Sequence, residues 1–156
     1  MNSRLSSRIS KIRLLAVMEP KTVTGAAKNM IDFCRAAREL NANLPSSTAI
    51  ETSIATFERA RHPAPKPSDE QEGSAEQSPN EFVATAREIG LEVDIIPERA
   101  PFDLRVIPAL RKIVKLRAPD IILTQHVKSH FVMKLSKLWQ EYPLSLIHIS
   151  EPTRPY

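Results

Sequence analysis

The chain has one cysteine, Cys34, so no internal disulfide framework can form. Cys34 falls on the apolar face of a predicted helix, which reads as a buried, inert thiol. Aromatic residues make up only 5% of the chain, leaving the core to aliphatic side chains. No apolar run approaches the length of a transmembrane helix. No carboxylate pair, metal-ligand cluster or Ser-His-Asp set is recognisable, and no internal repeat appears. The charge balance is mild: 22 Lys and Arg against 18 Asp and Glu give a net +4. That excess favours acidic partners such as nucleotide phosphates, anionic lipid or nucleic acid, without choosing among them.

What is present suits one domain. The 156 residues are 42% hydrophobic, enough for a core. Residues 1–11 are Ser/Arg-rich and acid-free, a composition shared by transit peptides and membrane-surface segments; they read as a flexible basic N-terminus. Residues 12–17 form an apolar run, a first strand followed by a polar loop to Gly25. Met30, Phe33, Cys34 and Ala37 then recur at helical spacing. Residues 47–57 suit a second strand. Residues 62–79 carry Pro, Glu, Ser and Gln and no large apolar side chain, so they read as a disordered loop inside the domain. Ser78-Pro79-Asn80-Glu81 reads as a capping box before a helix bearing Phe82, Val83, Ala86 and Ile89, ended by Gly90. Leu91, Val93 and Ile95 alternate as a third strand, with residues 97–102 as loop. Asp103 caps the next helix. Pro108 splits off a loose first turn, and Leu110, Ile113, Val114 and Leu116 form the buried stripe. Its charged face (Arg111, Lys112, Lys115, Arg117) reads as solvated, not as a nucleic-acid surface.

Residues 119–131 are the most informative: P-D-I-I-L-T-Q-H-V-K-S-H-F. Pro119 closes the preceding helix, and Ile121, Ile122 and Leu123 form a short run typical of a strand buried on both faces. Polar residues follow at once, before a helix with Phe131, Val132, Leu135, Leu138 and Trp139. The alternation of strands and helices predicts an α/β, Rossmann-like parallel sheet of order 3-2-1-4 with helices on both faces. The loops at residues 19–25 and 126–129 then meet at the switch point between the first and fourth strands, where ligands of open α/β sheets collect.

This stretch resembles the fourth strand and following loop of the N-terminal domain of family-four-type glycosyltransferases of the GT-B fold. I-R-L-L-A-V-M-E-P-K-T-V-T-G-A-A-K-N-M is similar to the family's first strand, loop and helix, and G-L-E-V-D-I-I-P-E-R to its third strand. The match covers roughly residues 12–143, and order and spacing carry it rather than any single motif. The resemblance implies the acceptor-side half of an enzyme that moves a sugar from a nucleotide-sugar donor to a saccharide or lipid-linked acceptor. It further implies a cytoplasmic location, extending to peripheral contact with the inner face of the membrane. No cofactor or metal and no nucleic-acid partner is expected. The donor contacts belong mostly to a second domain, so this stretch alone is expected to be inactive.

His126 is the candidate catalytic residue, able to orient or deprotonate an acceptor hydroxyl. Thr22, Thr24 and Gly25 in the first loop, with Lys128 and Ser129, are the candidate substrate-binding residues. Lys128 has two readings, neutralising a phosphate or pairing with Asp120 or Glu19; Ser129 doubles as a helix cap, and His130 reads as a surface residue. The family often has paired glycines where this chain has only Gly25. Past Pro143 the string L-S-L-I-H-I-S-E-P-T-R resembles a translated sequencing adaptor. Residues 144–156 are therefore read as a non-native tail that can still pair at the edge of the sheet. The rival reading is a stand-alone Rossmann-like module that binds a nucleotide or partner at the same switch point. A receiver-like signalling domain would need an acidic cluster at the strand ends, which Glu19 alone does not supply.

Overall fold

The computed structural model describes residues 11–43, 49–59, 80–100 and 103–146. They form β1 (Lys11–Met18), α1 (Ala26–Asn43), β2 (Ala49–Arg59), α2 (Glu81–Glu88), β3 (Glu92–Glu98) and α3 (Val106–Arg117). β4 (Ile121–Thr124), α4 (Val127–Leu135), a 3-10 turn (Leu138–Gln140) and β5 (Leu144–Leu146) complete them. The sheet has five strands in the order β3-β2-β1-β4-β5, and every pairing is parallel. The expected 3-2-1-4 order is therefore present, with β5 added beside β4. Residues 1–10 of the expected flexible N-terminus and the whole expected disordered loop, residues 62–79, lie outside the described residues, as do residues 147–156.

β1 shows why the sheet is buried on both sides. Leu15 and Val17 join Ala55, Phe57, Ile96 and Ile122 against α3 and α4. Ala16 and Met18 join Ile54 and Leu123 against α1 and α2. The two-residue period of a strand thus feeds two separate apolar layers from one continuous apolar run. Register holds the layers level, with Ile54 opposite Ala16 and Leu123 opposite Ala16 on its other side.

α1 starts after Gly25, whose φ of +51° is left-handed backbone that glycine adopts without strain. Its buried stripe is Ala27, Met30, Ile31, Cys34 and Ala37; Ile31 takes the inward place expected for Phe33, which is exposed. Burial pushes the Cys34 thiol up from its ordinary value, as expected for an inert thiol. At the helix end the Asn41 amide donates to the Ile50 carbonyl at 2.7 Å and accepts from its N–H at 2.8 Å, fixing the entry to β2. β2 runs two residues further than expected, to Arg59, and residues 47–48 of the expected strand lie outside the described residues.

Five local expectations are corrected. The cap of α2 is Asn80, not Ser78: its side-chain oxygen accepts from the Val83 N–H at 3.2 Å, the geometry of an N-cap to the third helical residue. β3 runs through Pro97 to Glu98 instead of ending before it; β3 is an edge strand, where a missing N–H breaks no ladder bond. Its buried members are Ile96 and Glu98, while Ile95 is exposed. α3 is continuous through Pro108, which sits in the first turn, where the N–H has no partner within the helix to lose. Asp103 accepts from the Arg105 N–H at 3.0 Å and the Arg99 N–H at 3.2 Å ahead of that helix. In α3, Val106 packs inward with Leu110 and Val114, and Leu116 is exposed. Arg117 is not solvated: it pairs with Asp94 at 2.7 Å and with Glu92, binding α3 to β3.

At the amino end of β4, Asp120 accepts from the Arg13 backbone N–H at 2.8 Å and meets its guanidinium at 3.4 Å. The backbone donor, with the guanidinium, holds the Asp120 carboxyl below its ordinary value. A lowered native pKa makes the folded state bind fewer protons than the unfolded one. The contribution is therefore present above the unfolded value of about 3.9 and is lost as pH falls through the folded one. Replacing Asp120 with Asn should flatten the acid limb of a stability curve taken between about pH 5 and pH 2, which urea titrations at each pH would measure. In the core, Ile122 is completely buried, and Ile122→Ala should cost about 2–5 kcal/mol in chemical denaturation through the cavity it leaves.

Candidate functional site at the carboxyl edge of the sheet

Each strand of a parallel sheet delivers its last residue to one edge, and the following helix points its N-terminal N–H groups there. Glu19 follows β1, Phe57 lies near the end of β2, Glu98 ends β3 and His126 follows β4. Lys128, in the first turn of α4, draws these ends together. Its ammonium lies 2.7 Å from Glu19 and pairs with Glu98, and it stands 4.9 Å above the centre of the Phe57 ring. The Lys128 side chain is 16% exposed and that of Glu98 1%. This is a desolvated ion pair backed by a cation–π contact, and neither member can lose its partner cheaply. Of the two partners expected for Lys128, Glu19 is present; Asp120 is at the opposite edge of the sheet, with Arg13.

The loop residues take their places around this cluster. The Nδ1 of His126 accepts from the Glu19 N–H at 3.4 Å. That bond assigns the proton of the neutral ring to Nε2, which leaves Nε2 a donor. Ser129 is buried and caps α4 from within: its hydroxyl accepts from the His126 N–H at 3.1 Å and donates to the His126 carbonyl at 2.7 Å. Ser129 therefore holds His126 in position. Thr22 and Thr24 are exposed, their hydroxyls 3.4 Å apart. Around Gly25 the chain turns into α1, with the Ala27 N–H donating to the Thr24 carbonyl and the Asn29 N–H to the Gly25 carbonyl, both at 3.1 Å. A Cβ at Gly25 would meet nothing within 4 Å, so its surroundings are open. His130, expected on the surface, is half-buried, with Nδ1 2.5 Å from the buried Thr124 hydroxyl.

The sequence reading missed Glu98, which it placed in a loop. The available signal was one further step of the strand alternation, putting Glu98 on the same face as Ile96. One carboxylate oxygen of Glu98 has no hydrogen-bond partner, and neither do the Thr56 hydroxyl and the Gln125 side-chain oxygen, all three buried. The rim thus offers a ring donor from His126 and hydroxyls from Thr22 and Thr24, while the unpaired oxygens of Glu98, Thr56 and Gln125 are buried. With two carboxylates against one ammonium, the formal charge of the central cluster is negative. Such a rim suits neutral hydroxyl-bearing groups better than a diphosphate. Among the described residues no cluster of His, Cys, Asp and Glu could hold a metal ion.

A cleft of about 430 Å³ opens at the amino edge between Arg13, Arg38, Asn41, Ser53, Glu92 and Arg117. Two of its arginines are already paired, Arg13 with Asp120 and Arg117 with Asp94 and Glu92. Helices present their carbonyl ends there, not their N–H groups, so the carboxyl edge is kept as the candidate site.

No protein-family model matches the chain, and no curated protein matches it. Among solved structures it is similar to the Anabaena protein Alr3699/HepE. Against that protein in complex with UDP the TM-score is 0.54 at 11% identity, covering 86% of this chain and 29% of the other. Against the complex with UDP and glucose it is 0.51 at 15% identity, with the same coverage of 86% and 29%. This likeness is one of fold, an α/β Rossmann-like sheet, and the chain spans 29% of the length of that protein. No described helix is long and apolar enough to cross a membrane.

The ion pair sets a testable expectation. Lys128→Ala should destabilise the fold by about 3–5 kcal/mol, because it strands a buried carboxylate. Lys128→Met combined with Glu98→Gln should recover much of that loss. Chemical denaturation of the single and double variants checks the ordering; equal losses in both would assign the cost to packing alone.

Proposed function

We propose that this chain is the acceptor-side domain of a glycosyltransferase that moves a sugar from a nucleotide-sugar donor to a saccharide or lipid-linked acceptor. The observation that carries the reading is the anchored His126. Its Nδ1 is occupied by the Glu19 N–H and its backbone by Ser129, which leaves Nε2–H as a fixed donor. In this role His126 is a positioning residue: it binds the acceptor hydroxyl oxygen and orients it for attack. Acting as a base through Nε2 would require the other tautomer and would break the Glu19 bond. Thr22 and Thr24 supply further hydroxyls at the mouth of α1, and the open surroundings of Gly25 let a sugar approach the backbone. Lys128 holds the rim together instead of binding phosphate, because both carboxylates would have to release it. The diphosphate of the donor is then met by groups outside this chain.

The excess of carboxylate in the rim disfavours a diphosphate and accepts hydroxyl donors, which supports a saccharide here, and the fold it shares with a protein crystallised with UDP and glucose is compatible with that assignment. Amide NMR titrations with glucose and, separately, with UDP test it. Glucose should shift residues 19–25 and 126–129 weakly and saturably, and His126→Ala should abolish those shifts while the melting temperature holds. Tight binding of UDP alone at the same loops would favour the stand-alone nucleotide module, and shifts confined to the amino-edge cleft would overturn both.

A further inference from the structure

The amino-edge cleft lies at the other end of the strands from the rim and plays no part in the reading above. Its volume of about 430 Å³ is that of a small-molecule site. The sheet itself makes the space. β2 begins at Ala49, but β3 joins it only from Ser53, so Ile50 and Thr52 border a gap where a neighbouring strand would lie. The backbone of that gap is already closed. The Asn41 amide bonds to both the N–H and the carbonyl of Ile50, and an extended peptide added to this edge would have to displace it.

Five charged side chains line the cleft, and four of them have partners. Arg13 pairs with Asp120, Glu51 with Lys11, Glu92 with Arg117, and Arg117 with Asp94 as well. Arg38 has no hydrogen bond and no ion pair among the described residues. Its guanidinium occupies space that only a glycine leaves free. A Cβ at Gly90 would fall 2.5 Å and 3.2 Å from its two terminal nitrogens and 3.3 Å from its central carbon. The φ of +73° at Gly90 requires glycine independently. The unmet charge thus rests on the turn between α2 and β3, beside an apolar wall. Leu91 is buried in that wall, Ile50 is half-buried, and Leu116 is 72% exposed.

We propose that this cleft binds a small organic monocarboxylate with an aliphatic body. The carboxylate lies on Arg38, whose planar fork of N–H donors matches its two oxygens. The body covers Leu116 and Ile50 and removes that apolar surface from water. One unmet positive charge answers one negative charge. A phosphate dianion would bring a second, uncompensated charge towards Glu51, Glu92 and the carbonyl ends of the helices. A wholly apolar ligand would desolvate the guanidinium without giving it an acceptor. A nucleic acid would need a row of free cations, and the other two arginines of the cleft are committed to carboxylates. The proposal uses no residue of the carboxyl-edge rim and stands apart from the acceptor reading.

Amide NMR of the full chain tests it, with isovalerate as the probe at constant ionic strength. Isoamyl alcohol, its uncharged counterpart, and inorganic phosphate are titrated in parallel. Isovalerate should shift the amides of Arg38, Gly90, Leu91 and Leu116 saturably, and the alcohol should bind at least about tenfold more weakly. Phosphate should not saturate these shifts. Arg38→Gln should weaken isovalerate about tenfold or more and bring it level with the alcohol, while the melting temperature holds, because Arg38 is exposed and has no partner to lose. Arg38→Lys, which keeps the charge and loses the fork, should fall between the two. Leu116→Ser should weaken isovalerate and the alcohol alike. If Arg38→Gln lowers the melting temperature, Arg38→Lys and Leu116→Ser carry the test. Equal binding of acid and alcohol, saturation by phosphate as tight as by isovalerate, or indifference to Arg38→Gln would overturn the proposal. So would isovalerate shifts that never saturate or that centre on residues 19–25 and 126–129. The glucose titration reads the rim with a different probe and different amides, so either reading can fail alone.

Discussion

The carboxyl edge of this sheet is organised by one buried ion pair. Lys128 leaves the first turn of α4, crosses above Phe57 and meets Glu98 at the end of β3, with Glu19 as its second partner. A carboxylate with a 1% exposed side chain is tolerated only beside a fixed cation. The position of α4, the length of β3 and the path of the chain after β1 are therefore coupled. His126 inherits its orientation from that arrangement, because its ring accepts from the Glu19 N–H and its backbone is held by Ser129.

The two edges of the sheet use charge differently. At the amino edge, Lys11–Glu51, Arg13–Asp120 and Arg117–Asp94 are partly exposed pairs that join neighbouring elements. They fix where strands and helices begin and leave an open, roughly charge-balanced cleft. At the carboxyl edge a single lysine serves two carboxylates, and buried acceptors on Glu98, Thr56 and Gln125 have no partner. Unmet hydrogen-bonding capacity in a protein interior is costly. Its concentration in the interior behind the carboxyl edge is what separates the two edges.

The fifth strand illustrates how little a strand pairing depends on the sequence that supplies it. Leu144–Leu146 pairs in parallel with β4, Ile122 opposite Leu144, and the Ile122 N–H donates to the Pro143 carbonyl at 3.1 Å. Backbone groups at an open edge accept any extended segment of modest hydrophobicity. The fifth strand follows from the edge that β4 presents, whatever sequence supplies it.

The sequence by itself determined the alternation of strands and helices, and with it the parallel order 3-2-1-4. Apolar runs at residues 12–17 and 121–123 and helical stripes between them leave few other ways to bury both faces of a sheet. It also determined that the loops after β1 and β4 share one edge, since parallel strands bring their carboxyl ends together. Tertiary structure alone decided what those loop residues do. Whether Lys128 faces a phosphate or a buried carboxylate depends on Glu98, thirty residues away in sequence, and on β3 continuing through Pro97. Whether Phe131, Leu135 and Trp139 fill the core or remain outside depends on how α4 is rolled. Val132 and Met133 face the sheet instead, a choice that helical periodicity leaves open when apolar residues occupy both sides of a helix.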